Sequence, residues 1–347
     1  MLTYLAHAEG SVSSSIIIDG SEIGTNPQDV IPVLHRIHAD LDDSQHPHGL
    51  ISKFVVIRPS SHPMYDLSYW FFQLVPGNPV SFDYEGSCGH SILAAIQVAM
   101  KWGWVATASP GLRVRVYIEN VGDSLVCEVD HAVRSGMNCT AHFIENQGTS
   151  LGSLLPTGQV TNQLTTSFGE VEVSIVSSGN SYVFVHADSL GIRSEEALFG
   201  AGDGALAQLQ EIRRAAALLI GLNPDGVFPK IAVVGSYQQG SLSFRAISVP
   251  SWHPTIALTG AACVGAAASI KGSVVYRIVQ ASKSSTYRLP VRTKGGSTLI
   301  STSTTGSELN DYLLYNSISD KNVRLIGSLP LKKGAAREWE LQSKVFA

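Results

Sequence analysis

The stretch Gly86-Ser87-Cys88-Gly89-His90-Ser91-Ile92-Leu93-Ala94-Ala95-Ile96-Gln97-Val98-Ala99-Met100 decides how the rest of the chain is read. After its glycine turn the segment is apolar almost all round, and a helix with no polar face has to be buried. A second such segment, Thr259 to Ser269, is Ala-rich and uncharged and follows His253-Pro254. A third, Ala205 to Leu219, carries its charges on one side and reads as an outer, amphipathic helix. Between them recur short β-branched runs: Ser15 to Ile18, Phe54 to Ile57, Trp70 to Val75, Val114 to Ile118, Ser124 to Val129, Glu170 to Val176, Tyr182 to His186, Ile231 to Val234 and Val274 to Val279. These read as strands.

The order of elements predicts an α+β protein of two pseudo-symmetric halves, each a mixed sheet wrapped around one central apolar helix. The first half takes residues 1–155, with its helix starting at Cys88. The second takes 156–347, with its helix starting near Thr259, and a terminal strand can cross between the two. Leu151 to Gly158 serves as the crossover. Laying the buried helices over one another aligns Cys88-Gly89-His90-Ser91 with Ala257-Leu258-Thr259-Gly260.

Composition narrows the function. With 347 residues, 44% hydrophobic and 15% charged, the chain can bury two ordinary cores. A net charge of −4 with no Lys/Arg stripe argues against nucleic acid. The opening Met1-Leu2-Thr3-Tyr4-Leu5-Ala6-His7 does not resemble a secretory signal. The longest apolar stretch, Ile256 to Ile270, is too short for a membrane span. A cytoplasmic protein with no membrane partner is expected, acting on a small molecule, with a homodimer as the assembly allowed for. The four cysteines form no CxxC pair and suit no zinc site. His46 and His48 flank a proline in a polar loop and read as solvated. Neither GxGxxG, HExxH nor GxSxG occurs, and Gly10 to Ser15 lacks the spacing and lysine of a phosphate loop. No cofactor and no metal are expected, which leaves acid–base chemistry with protein groups.

Two residues carry that chemistry best. Cys88 opens a buried helix, where unpaired N–H groups and the helix dipole favour an anion. It can equally be a small apolar residue at a tight turn. Cys127 in a strand pattern, Cys139 in a polar turn and Cys263 inside a buried helix read as structural. Lys53 opens the apolar run Phe54 to Ile57; a desolvated amine there can act as a base, and a strand-end lysine can also snorkel to solvent. His253, just before the second buried helix, either polarises a substrate or caps the turn at Pro254.

At these residues the chain resembles the PrpF-type isomerases, which share the diaminopimelate-epimerase fold. The matching stretches are Ile51-Ser52-Lys53-Phe54-Val55-Val56-Ile57, like TSKVAIV, and Asp83-Tyr84-Glu85-Gly86-Ser87-Cys88-Gly89-His90, like DWSGNCGN. Leu155 to Gly158, Tyr182 to Gly191, Ile212 to Ala216, Phe228 to Ala232, Arg245 to Ser248, and His253 leading into Thr259-Gly260 and Ile270 to Ser273 follow in order. Members of that family isomerise unsaturated di- and tricarboxylates without a cofactor. The resemblance implies Lys53 and Cys88 as the acid/base pair, an enolate-like intermediate, and a double-bond shift or cis–trans isomerisation. It implies substrate contacts from Ser13, Ser87, Gly89, His90, Ser91, Arg245, His253, Thr259, Gly260 and Lys294.

Two departures bear on the substrate. The family's RGGTSKG loop reads Glu9-Gly10-Ser11-Val12-Ser13-Ser14-Ser15 here, without its basic residues, and HPSG reads Lys294-Gly295-Gly296-Ser297. Arg58, Arg245, Lys294 and His253 are the expected carboxylate partners, and a substrate with fewer carboxylates, or a larger and more apolar one as in secondary metabolism, is favoured over a tricarboxylate. Epimerisation at an activated carbon and ligand binding without turnover are the alternatives. A two-cysteine racemase is disfavoured, because Ala257 stands where the second thiol would.

Overall fold

The computed structural model describes residues 2–42, 51–75, 77, 79–106, 110–146, 148–249 and 251–329. His46 and His48 lie outside the described residues. The first half runs β1 (Thr3–Ala8), β2 (Ser15–Asp19), α1 (Pro27–Asp42), β3 (Lys53–Pro59), β4 (Leu67–Val75), β5 (Ser81–Asp83), α2 (Gly89–Trp102), β6 (Leu112–Ile118), β7 (Asp123–Val133) and β8 (Gly136–Ile144). The second runs β9 (Asn162–Thr166), β10 (Gly169–Ser178), β11 (Asn180–His186), α3 (Glu195–Phe199), α4 (Asp203–Leu219), β12 (Lys230–Gly235), β13 (Leu242–Ser248) and β14 (Ser251–Trp252). It continues with α5 (Leu258–Ser269), α6 (Val274–Ala281), β15 (Leu289–Thr293), β16 (Gly296–Thr304) and β17 (Leu313–Ser328).

Both halves repeat one pairing scheme. In the first, β1–β2 is antiparallel, β2–β3 parallel, β3–β4 antiparallel, β4–β6 parallel, and β6–β7–β8 antiparallel. In the second, β10–β11, β11–β12, β12–β13, β13–β15 and β15–β16–β17 follow the same sequence of senses. A parallel pair needs a crossover. One crossover in each half is an outer helix, α1 or α4; the other passes through the inside, as α2 or α5. Long β17 belongs to both sheets, pairing with β16, then β8, then β1. The ring β1-β2-β3-β4-β6-β7-β8-β17 thereby closes around α2.

Burial follows from this layering. In β3, Val55 and Ile57 face α2 while Phe54 and Val56 face the layer under α1. In β12, Ala232 and Val234 face α5 while Ile231 and Val233 pack under α4. Strands covered on both faces read as continuous apolar runs, which is why they stand out in the sequence. The residues of α5, and those of α2 from Gly89 to Met100, are buried.

The structure corrects two expectations and adds a helix. Val274 to Val279 is helix α6, not a strand: Ser273 caps it by accepting from the Tyr276 N–H, and Val274, Val275, Ile278 and Val279 form its buried face. Cys139 lies within β8 and is buried, not in a polar turn. Helix α1 has no counterpart in the sequence reading, although Val30, Val33, Leu34 and Ile37 line its buried side; Pro32 within it masks the pattern. Among the described residues no single helix is long and apolar enough to cross a membrane.

The starts of α2 and α5 abut. A Cβ on Gly89 would stand 2.5 Å from the Leu258 Cβ, a contact fixed on both sides by backbone. Gly89→Ala therefore forces the helix starts apart and costs about 1–3 kcal/mol in urea unfolding. In a Leu258→Gly background the same substitution costs less, and equal costs in the two backgrounds would refute this contact as the constraint.

Candidate active site

Cys88 is the N-cap of α2 in extended conformation (φ −131°, ψ 104°), and its side chain makes no capping bond. Its carbonyl accepts from the Ile92 N–H (3.1 Å) and from the Tyr69 hydroxyl (3.2 Å). Ala257 holds the same place on α5, its carbonyl accepting from the Ala261 N–H at 2.8 Å. Neither first turn contains an acidic residue. The leading N–H groups of both helices, from Gly89, His90 and Ser91 and from Leu258, Thr259 and Gly260, precede the first intrahelical bond of each. Two positively polarised helix ends thus meet at one junction.

Around those ends the small residues are dictated by close approach. A Cβ on Gly86 would come 2.5 Å from the Phe228 ring, and one on Gly260 would come 2.6 Å from the Tyr182 hydroxyl. Ser91 and Ser15 hydroxyls are 2.8 Å apart, tying α2 to β2. Asn180 donates to the Ser87 carbonyl (3.3 Å) and to Thr259 Oγ1 (3.0 Å), tying both helix starts to β11.

Lys53 is the first residue of β3, on the same face as Val55 and Ile57, and only 8% exposed. Its ammonium donates to Ser11 Oγ at 2.6 Å, and Ser11 Oγ donates to the Ser13 carbonyl at 2.9 Å. Ser13 Oγ lies 3.4 Å from Ser52 Oγ. Lys230 is the counterpart in the second half: it opens β12 and pairs with Tyr182 as Lys53 pairs with Ser15. Burial pulls its amine down to about 8; Cys88 and Asp83 act in the opposite sense, while Arg213 and Lys53 add to the depression. Lys230 therefore feels both Cys88 and Lys53. It is absent from the sequence-predicted site, although a lysine opening an apolar strand occurs twice and could have marked it.

His90 and His253 face one another with ring centroids 6.4 Å apart and planes 18° from parallel. Burial, then the Lys53 charge, holds both below the usual imidazole range, His253 at about 4. His253 Nδ1 accepts from the Thr255 N–H at 3.1 Å, and Thr255 Oγ1 donates to the Gly10 carbonyl at 2.9 Å, locking the β1–β2 turn to the α5 approach. Gly10 needs its positive φ of 84° for that turn.

Three expected carboxylate partners are not brought here. Arg245 points to the other face of β13, donating to the Phe199 carbonyl at the end of α3 and stacking 4.5 Å from the Trp252 ring centroid. Strand alternation sends Phe244 and Ala246 inward and Arg245 outward. Arg58 donates to the carbonyls of Gly20, Ile23 and Gly24. Lys294 is exposed in the β15–β16 turn. Cys263 is buried in α5, its thiol donating to the Ser178 and Asn180 carbonyls and pushed up to about 12 by burial. Among the described residues no three His, Cys, Asp or Glu side chains gather as a metal site.

The sequence profile of the family described as "PrpF protein" matches residues 42–319. The chain belongs to the PrpF family. It is 31% identical over 271 residues to the 3-methylitaconate isomerase of Eubacterium barkeri, covering 67% of this chain and 71% of that one. To the 4-oxalomesaconate tautomerase of Pseudomonas putida it is 26% identical over 268 residues, 72% and 73% of the two chains. The solved methylitaconate-delta-isomerase superposes with a TM-score of 0.70 at 24% identity, covering 96% of each chain. A hydroxyproline epimerase from Agrobacterium vitis superposes at 0.60 with 11% identity, covering 94% of this chain and 91% of its own. The fold is thus the diaminopimelate-epimerase type, and this PrpF protein is an isomerase.

The neutral histidines set a pH dependence. Below pH 6.5 the unfolded chain takes up protons at His253 that the folded chain refuses until about 4. Stability is therefore full above 6.5 and falls as pH drops toward 4, by on the order of 3 kcal/mol for His253. Urea midpoints measured from pH 7 to 4.5 should fall accordingly, and more shallowly in His253→Gln; parallel pH curves for the two proteins would disprove this.

Proposed function

We propose that this protein isomerises an unsaturated carboxylic acid by moving a proton between carbons, with Lys53 and Cys88 as its acid/base pair and no cofactor. The observation that carries this reading is an inward, buried lysine at the start of β3 together with a thiol at the N-cap position of α2, where two abutting helix starts are free of acidic residues. The relatives named for methylitaconate and oxalomesaconate support the substrate class.

One member of the pair removes a proton from a carbon made acidic by an adjacent double bond and carboxylate. The electron pair spreads over the unsaturated system as a dienolate. Its oxygens lie toward the N–H groups of Gly89, His90, Leu258 and Thr259, and fixed donors aimed at developing charge lower such barriers by a few kcal/mol. The other member returns a proton at the allylic carbon, which shifts the double bond, or at the original carbon after rotation. Buried, neutral His90 and His253 shape the pocket without competing for the proton. Ala257 at the place of Cys88 leaves the second half without the thiol that two-base epimerisation would use.

Incubation in heavy water with 3-methylitaconate, 2-methylaconitate and 4-oxalomesaconate, followed by product NMR, tests the reaction. Deuterium at the allylic carbon is expected. Lys53→Ala and Cys88→Ser, with circular dichroism unchanged, should each lower exchange by about 10²-fold or more. Wild-type exchange in both folded variants would refute the assignment.

A further inference from the structure

With Arg58, Arg245 and Lys294 occupied or exposed elsewhere, the substrate's carboxylate lacks the cations expected of it. Lys230 supplies one. It opens β12 on the face shared with Ala232 and Val234, so its side chain is directed to the α5 side of the sheet, as Lys53 is directed to α2. Its ammonium lies over the Phe228 ring, 4.8 Å from the centroid. That ring packs against Gly86, two residues before Cys88. Lys53 donates to Ser11, whereas among the described residues no hydrogen bond or ion pair engages the Lys230 ammonium. A half-buried ammonium with no anion in hydrogen-bonding or ion-pair contact among the described residues, beside two positively polarised helix starts, is an incomplete ion pair.

We infer that Lys230 binds a carboxylate of the substrate next to Cys88, acting as the second-half counterpart of Lys53. This inference rests on the proposed function and deepens it. Removing a proton beside a carboxylate places a second negative charge close to the first, and an ammonium on that carboxylate offsets the repulsion. The depression of the Lys230 amine to about 8 accords with this, since a bound carboxylate would supply the missing partner. The titratable groups whose charges act on it are Cys88, Arg213, Asp83 and Lys53.

The test needs no knowledge of the substrate. Iodoacetate and iodoacetamide both alkylate a thiolate, forming an S–C bond and releasing iodide, and they differ only in carrying a carboxylate or a carboxamide. Cys88 is partly exposed and the other three cysteines are buried, so alkylation of the native protein reports Cys88, with Cys88→Ser as the blank. The ratio of the two rates, divided by the same ratio for glutathione, cancels thiol ionisation and general accessibility.

A wild-type ratio about tenfold above that of glutathione is expected, the size of a charge-assisted hydrogen bond. It should collapse in Lys230→Gln, be retained in Lys230→Arg, and persist in Lys53→Gln. Should Lys230→Gln fail to fold, the wild-type ratio decides, because it should decline as pH rises through about 8. A ratio equal to that of glutathione, an unchanged ratio in Lys230→Gln, collapse in Lys53→Gln instead, or a ratio flat with pH would each overturn the inference. The outcome is separate from the acid/base assignment: Cys88→Ser can abolish exchange whether or not the carboxylate preference exists.

Discussion

The starts of α2 and α5 meet head to head, and most of the molecule's particular features follow from that contact. Each helix start carries partial positive charge, so bringing two together is unfavourable unless something negative lies between them. Neither end is answered by an acidic first turn or a side-chain cap on Cys88 or Ala257. The field at the junction therefore favours an anion. The backbone must also come close enough to present its N–H groups, which accounts for glycine at 86, 89 and 260, each facing a side chain that a Cβ would strike.

Holding two like-signed ends together requires a frame stiffer than a contact between separate domains. The duplicated strand scheme provides it. Each half threads its apolar helix through the inside of the sheet as a parallel crossover, so the helix start emerges at a strand-defined position. One hydrophobic core runs continuously around both helices. Strand β17 then pairs with β16, β8 and β1 in turn, so that the two sheets share backbone hydrogen bonds. Ser15 to Ser91 and Asn180 to Thr259 pin the helix starts to equivalent strands, β2 and β11.

What was legible in the sequence follows from which signals survive burial. An all-apolar helix has no competing reading, so α2 and α5 are visible, and strands covered on both faces are visible as apolar runs. Helix α6 is ambiguous because Val274, Val275, Ile278 and Val279 suit a short strand as well as one face of a helix; Ser273 as cap settles it only in three dimensions. Arg245 shows a second limit: alternation says that it faces opposite to Phe244, but not which face is the cleft. Lys53 and Cys88 stand out in the sequence by their local context and family resemblance. Lys230 is hidden because its equivalence to Lys53 comes from register, which only the pairing of β11 with β12 reveals.

The two halves share a backbone plan and differ in the groups at the junction. Cys88 faces Ala257 across the repeat, Lys53 is hydrogen-bonded to Ser11, and no such bond engages Lys230 among the described residues. A symmetric pair of thiols suits a proton that leaves and returns on opposite sides of one carbon. Unlike groups suit transfer between two carbons. On the proposed function, a proton leaves one carbon and returns to another, while the carboxylate between must stay fixed. Asymmetry then has a use at each position. On that reading the thiol and the inward lysine exchange the proton, the second lysine anchors the charge, and both histidines remain neutral. On the same reading two helix starts of equivalent backbone divide the duties of one site, and the strand register that equates Lys230 with Lys53 sets the second lysine on the inner face of its strand.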